Sequence, residues 1–301
     1  MLRIQTYPLQ SLISLLILHI LIQNSFNNSN QFSTMKRLLL FSSICFLTLQ
    51  LFVACGGGED KTDGGTTTTD TTSQAPPAKN VYTLTPFTES VNFPDAAIKS
   101  MDYKGGKFTY SIGGTNYKLG EQTPDAPQKM CANSKEGQHI HLIVDDSPYV
   151  AKYVPVFDHK IADGDHFICS FLSRSYHESL KHKAASRVQK VSVKNGGFTK
   201  TEDVKDPMLF YSRPKGAYVG KAETDKVMLD FYLANAELGL GKYTVKVEVN
   251  SDTTFLVDKW QPYYIEGLPM GDNKIKLTLI DREGTTIETP LNPVERVFTL
   301  K

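Results

Sequence analysis

The chain has 301 residues, 33 basic against 32 acidic side chains, a formal net charge of +1 and a sequence pI near 7.6. No run of Lys or Arg exceeds two residues, so the basic stripe that a nucleic-acid surface requires is absent, and a nucleic-acid partner is not expected. The length admits one to three domains.

Two apolar stretches open the sequence, one over 8–22 and a second over 38–54. The second follows Met35-Lys36-Arg37 and ends in Phe52-Val53-Ala54-Cys55, a basic start, an apolar middle and a small residue before a cysteine. That ending resembles a lipobox, in which Cys55 is acylated and becomes the new N-terminus. A complete signal needs no second apolar segment ahead of it, so residues 1–34 read as translated upstream sequence, with Met35 as the true start. Residues 1–54 contain three basic and no acidic residues, and their removal leaves 30 basic against 32 acidic side chains, a balanced surface. The cysteines left after cleavage at Cys55 are Cys131 and Cys169, in a compartment that permits a disulfide.

Residues 56–80 are dominated by Gly, Thr, Asp and Lys and hold no aromatic or large aliphatic side chain beyond Ala and Pro. Such a stretch cannot bury enough surface to offset the entropy of ordering and reads as a disordered tether, spanning on the order of 25–30 Å as a flexible coil. Glu59-Asp60 resembles the acidic export signal of Bacteroidetes surface lipoproteins, and Asp70-Thr71-Thr72 resembles the O-glycosylation acceptor of the same group. The expected location is therefore the outer membrane, on its periplasmic face or the cell surface, held by the lipid anchor.

From Val81 onward, short runs of Val, Ile, Tyr, Phe and Thr alternate with polar residues between Gly, Pro, Asn and Asp clusters, which predicts strands and no long helix. An internal repeat sets the organisation. Residues 140–145 (IHLIVD) match 245–250 (VKVEVN), residues 155–157 match 262–264, Gly164 falls on Gly271, and 168–172 (ICSFL) fall on 275–279 (IKLTL). The expected fold is all-β, two tandem immunoglobulin-like sandwiches over 81–203 and 204–301. The first carries an insertion over 121–138.

Side chains of a strand alternate between faces. Ile140, Leu142 and Val144 match Val245, Val247 and Val249 as core. The reverse face is Thr244, Lys246 and Glu248 in the second repeat but His139, His141 and Ile143 in the first. The later strand contrasts Lys274, Lys276 and Thr278 with Phe167, Cys169 and Phe171. The first domain thus has a second apolar face that its twin lacks, and the insertion 121–138, or a ligand, is expected to cover it. The six histidines after Cys55 all lie between His139 and His182, and the second repeat has none.

Two readings of this platform stand side by side, and they exclude each other because both use the same sulfurs. Cys131 and Cys169 form a disulfide closing a loop of about 38 residues, worth roughly 2–4 kcal/mol. Alternatively, His139 and His141, about 7 Å apart on one strand face, join Cys131 and Cys169 in a tetrahedral site for Zn or Cu. Enzyme chemistry finds no footing. Ser175, His177 and Glu178 are neighbours in sequence only, and there is no nucleophile elbow, phosphate loop or zinc-protease helix. Asp163-Gly164-Asp165 reads as a turn, because Met270-Gly271-Asp272 takes the same place in the second repeat.

The segments 130–141, 171–181 (FLSRSYHESLK), 207–216 (PMLFYSRPKG) and 261–270 (QPYYIEGLPM) are similar to a family of Bacteroidetes lipoproteins usually catalogued as hypothetical or as phosphopeptide-binding proteins. The resemblance spans 81–301. It implies a non-enzymatic surface binding or adaptor protein with a peptide or protein ligand and a phosphate-recognising surface. Ser173-Arg174-Ser175-Tyr176-His177 resembles the Ser-Arg-x-His element of forkhead-associated domains, one residue longer, and makes Ser173, Arg174, Ser175 and His177 the candidate anion-binding residues through charge-assisted hydrogen bonds. If Cys55 carries the anchor, labelled palmitate is incorporated by the wild-type chain and not by Cys55→Ala. Label retained in that variant removes the lipid anchor.

Overall fold

A strand buried on one face forces alternation, and a strand buried on both faces reads as a continuous apolar run. Both patterns are present in the computed structural model, which describes residues 80–301. The signal segment with its Met35 start, Cys55 and residues 56–79 of the tether lie outside the described residues. Seventeen strands follow in chain order: β1 (Thr83–Pro86), β2 (Ala97–Lys104), β3 (Lys107–Gly113), β4 (His139–Val144), β5 (Val150–Lys152), β6 (Val156–Asp158), β7 (Gly164–Ser173), β8 (Ser186–Lys194), β9 (Gly197–Asp203), β10 (Met208–Arg213), β11 (Gly216–Tyr218), β12 (Val227–Ala234), β13 (Thr244–Val249), β14 (Thr253–Val257), β15 (Tyr263–Glu266), β16 (Gly271–Ile280) and β17 (Val294–Leu300). Among the described residues the only α-helix is a single turn, Lys221–Thr224.

The strands make two sandwiches of immunoglobulin-like form. In the first, the sheet β2-β3-β6 faces the sheet β5-β4-β7-β8-β9 across a core that includes Ile98, Tyr103, Phe108, Ile140, Leu142, Ile168 and Leu172. In the second, β1-β15-β12-β10 faces β11-β17-β16-β13-β14 across Leu209, Leu229, Phe231, Val245, Val247, Ile275 and Leu277. The repeat is visible in the register. Ile140 pairs with Leu172 across β4 and β7, and Val245 pairs with Leu279 across β13 and β16. The corners match as well. Asp145 and Asn250 both adopt positive φ (54° and 51°), and each side-chain oxygen accepts from the backbone N–H of the opposite strand, Phe167 in one case and Lys274 in the other.

Three expectations are corrected. First, β1 was expected in the first domain, yet it pairs antiparallel with β15 and extends the second sandwich. The chain therefore enters through the second lobe and only then builds the first.

Second, the apolar reverse face of β4 and β7 is covered by the second sandwich and not by the insertion. Ile143, Cys169 and Phe171, with Tyr149 from the loop after β4, pack on Met208, Phe210, Tyr232 and Leu291. Phe171 stacks on Tyr232 at 5.0 Å and 10°. Strands β10 and β12 are correspondingly buried along nearly their whole length. The insertion, with a 3₁₀ turn at Ala126–Gln128, closes the end of this seam instead, where Ala126 and Cys131 meet Phe87, Tyr176, Met228 and Tyr264.

Third, Cys131 and Cys169 are free thiols. Cys169 points into the middle of the seam and Cys131 into the cluster at its end, so the sulfurs serve separate contacts and the expected disulfide is not made.

Lys274 and Lys276, at the equivalent positions of the second repeat, are partly exposed, with side chains 40% and 38% accessible, and pair with Glu295 and Glu248. The two repeats thus share a core pattern and differ in whether the reverse face has a partner. Phe171 is fully buried while Phe167 is only half-buried. Phe171→Ala is therefore expected to lower unfolding stability by about 3–5 kcal/mol in urea titration, and Lys274→Ala to change it by less than about 0.5 kcal/mol. Equal effects would show that the seam adds nothing to stability.

Candidate metal centre at the seam

On β4, His139 and His141 share the reverse face with Ile143, and the second lobe seals that face, so both imidazoles are fully buried. The third histidine comes from the loop after β7. Ser173 and Ser179 bridge, the Arg174 N–H donates to the Glu178 carbonyl, and the His177 N–H donates to the Arg174 carbonyl. This tight loop places His177 at φ 72°, a left-handed conformation that a non-glycine residue adopts at a cost of about 1–3 kcal/mol. The strained backbone turns the His177 ring inward onto β4.

The three rings converge on one point. His139 Nε2 lies 2.8 Å from His141 Nε2 and 3.0 Å from His177 Nδ1, and the three ligand atoms all fall within 4.8 Å of one another. Hydrogen bonding alone does not account for this. The His139 Nδ1–H donates to the Gly137 carbonyl at 2.7 Å, which assigns the proton to Nδ1 and leaves Nε2 a single in-plane lone pair. Two other ring nitrogens approach that one lone pair. A tetrahedral ion with 2.0–2.1 Å bonds to nitrogen holds its ligand atoms about 3.3 Å apart, a spacing that lies between the two short contacts and the 4.8 Å within which all three atoms fall.

Outer contacts fix the rings, as metal-ligating imidazoles require. Gly137 holds His139, and its positive φ of 86° with the Glu121 carbonyl only 2.6 Å from where a Cβ would sit restricts that position to glycine. Ser212 Oγ, at the end of β10, lies 3.3 Å from His141 Nδ1 and reaches it across the seam. Tyr149 stacks on His141 with ring centroids 3.6 Å apart and an interplanar angle of 8°, and its hydroxyl is 3.3 Å from His177 Nδ1. Arg213 donates to the Tyr149 and Tyr218 hydroxyls. Lys215 donates to the Tyr149 carbonyl.

All three histidines are held neutral. Burial pushes His139 down to about 4, with Arg213 and Lys215 acting in the same direction. Burial also takes His141 and His177 well below the usual imidazole range. A neutral imidazole is the ligating form. Burial raises the Cys131 thiol to about 12 and the Cys169 thiol well above its ordinary value, so in the metal-free protein both sulfurs are protonated.

His139 and His141 are brought together, and Cys131 and Cys169 are not among the converging ligand atoms. His177 joins them, although the sequence placed it in an anion site. That anion site does not assemble. The Arg174 guanidinium is buried, donates to the Val91 carbonyl and pairs with Glu178. Ser173 Oγ donates to the Arg174 and Glu178 carbonyls, and Ser175 exchanges backbone–side-chain hydrogen bonds with Thr123. The other histidines have separate structural partners. His166 sits against Asp145, and His182 against the Ala96 carbonyl, while His159 lies over Phe108. Asp163 and Asp165 likewise serve the turn, accepting from the Asn195 N–H and Ser192 hydroxyl.

Sequence reasoning missed Tyr149, Ser212, Arg213 and Lys215. The last three lie in PMLFYSRPKG, one of the four segments that carry the family resemblance. All four meet at this seam. The segment 130–141 supplies two of the converging histidines, 171–181 the third, 207–216 Arg213 and Lys215, and 261–270 supplies Tyr264, which packs with Cys131 and Tyr176.

No protein-family model matches the chain, and no curated protein does. Among solved structures, the fibronectin(III)-like modules of Clostridium thermocellum CbhA match over 73% of this chain and 94% of theirs, at 10% identity and a TM-score of 0.25. At that score the likeness carries no argument. The two-sandwich fold rests on the sheet order and register of the strands themselves.

The neutral cluster has a pH consequence for the metal-free protein. In the unfolded chain each histidine titrates near 6.5, so between about pH 6.5 and 4 the unfolded state binds more protons than the folded one. The contribution is fully present above pH 6.5 and declines as pH falls through that window, by roughly 3 kcal/mol for His139 alone at about 1.4 kcal/mol per pKa unit. Urea midpoints of the metal-free chain should drop between pH 7.5 and 4.5, and the drop should shrink in His139→Gln/His141→Gln. A drop of the same size in that variant would assign the acid sensitivity to other groups.

Proposed function

We propose that this protein is a non-enzymatic binding protein of the cell envelope whose ligand is a transition-metal ion, zinc or copper, held by His139, His141 and His177. The observation that carries the reading is the convergence of three neutral imidazole nitrogens, two of them on fully buried rings, at 2.8 and 3.0 Å, more than the single lone pair of His139 Nε2 can use. Nitrogen ligands of this kind suit Zn and Cu over the hard cations that prefer oxygen. The strained backbone at His177 supports the same reading, since strain of this sort persists where the surroundings enforce it and clusters at ligand sites. The envelope location rests on the signal segment, Cys55 and the tether composition. A phosphopeptide ligand has less support, because Arg174 and Ser175 are engaged inside the fold.

The test is metal analysis and titration of the purified mature chain. One equivalent of metal is expected to bind. His177→Asn, chosen because Asn tolerates a positive φ, should weaken binding by more than about 100-fold while leaving the far-ultraviolet circular dichroism unchanged. Cys131→Ser should bind as the wild type does. Absence of binding, or binding indifferent to His177, would overturn the reading. Loss of binding on substitution of Cys131 would return a sulfur to the ligand set.

A further inference from the structure

Two cationic side chains surround the three histidines and bear on the valence of the ion in the metal site proposed above, on which this inference rests. The ligand atoms are three neutral imidazole nitrogens with no carboxylate or thiolate among them. On the second-lobe side, β10 ends in Arg213, buried and 6% exposed. Its guanidinium donates only to two phenols, Tyr149 at 3.2 Å and Tyr218 at 2.9 and 3.2 Å. The Tyr149 hydroxyl is itself 3.3 Å from His177 Nδ1, so a single phenol separates the guanidinium from the ligand set. Lys215, half-buried, places its ammonium 4.1 Å from the centre of the same Tyr149 ring, and that ring lies flat on His141.

Among the described residues, no carboxylate pairs with either cation. The buried carboxylates of this region have their own partners: Asp230 pairs with Lys181 at 2.5 Å and Glu178 with Arg174 at 3.4 Å. The surroundings of the site therefore carry two positive charges without a counter-ion.

We propose that this site selects monovalent copper, Cu⁺, over divalent zinc. Coulomb repulsion from Arg213 and Lys215 scales with the charge of the ion and opposes a divalent ion twice as strongly as a monovalent one, in an interior where screening is weak. A zinc site with three protein ligands keeps a fourth position for water or substrate. Here His139 and His141 are fully buried and only His177 is partly open, and an ion held by three imidazoles alone needs no such hydrated position. A monovalent d¹⁰ ion content with three imidazoles meets both constraints, and imidazole is among the ligands that suit copper.

The experiment compares affinities in the full mature chain under anaerobic conditions, with bicinchoninate competing for Cu⁺ and a chromophoric indicator competing for Zn²⁺. Cu⁺ is expected to bind more tightly than Zn²⁺ by over roughly 100-fold. Arg213→Gln should narrow that gap by about tenfold or more, chiefly through tighter Zn²⁺ binding. Lys215→Gln, at a half-exposed position that a neutral side chain can occupy without disturbing the core, provides the same readout if Arg213→Gln does not fold. Zn²⁺ binding as tight as Cu⁺ would overturn the selectivity, as would a gap unchanged in the folded variants. Zn²⁺ reaching that affinity only with added inorganic phosphate or carbonate would also overturn it, since the two cations would then be holding an anionic co-ligand. Failure of both metals to bind would instead remove the metal site itself.

Discussion

The apolar contact between the reverse face of β4 and β7 and the outer face of β10 and β12 is the interaction on which the rest of the structure depends. Burying side chains such as Phe171 and Phe210 there contributes roughly 1.5–3 kcal/mol each. The same contact removes His139 and His141 from water. Desolvation then keeps them neutral, and the second lobe supplies Ser212, Arg213 and Lys215 to the surroundings of the three rings. Neither sandwich alone contains this arrangement. The three histidines belong to the first lobe, while the cover and the two cations belong to the second.

This division explains why two domains with one repeated core pattern are not interchangeable. The second lobe keeps lysines on the face where the first has aromatic residues and histidines, and those lysines make partly exposed ion pairs with Glu295 and Glu248. Pairs of that kind add little stability. They keep the face solvated, so only one of the two equivalent sheets is available for docking.

Much of the fold was legible because the repeat acts as an internal control. Comparing Ile140 with Val245 and Ile168 with Ile275 separates core positions from the reverse face without reference to any other protein, and the observed register agrees. The cover of that face was not legible. It comes from β10 and β12, whose continuous apolar runs indicate burial on both sides but name no partner. The position of β1 was equally hidden, since four residues of TLTP fit an edge strand of either lobe. Of the site, the His-x-His alternation could be read directly from strand geometry. His177 could not be placed, because its orientation depends on a left-handed backbone that no local pattern announces. The cysteines drew attention by their isolation in sequence, and burial in two different clusters accounts for both.

The crossing of β1 into the second sandwich has a topological consequence. The chain passes from the second lobe to the first through 87–96 and returns through 204–207, so the lobes are joined by two covalent links and not one. No contiguous stretch of sequence contains the whole second sandwich without also containing the first. A fragment starting at β10 would lack one strand of its sheet and bare the backbone of β15, an open edge of the kind that recruits other chains. The repeat therefore behaves less like two beads on a string than like a clasp, in which a single cut in either link leaves the halves still attached.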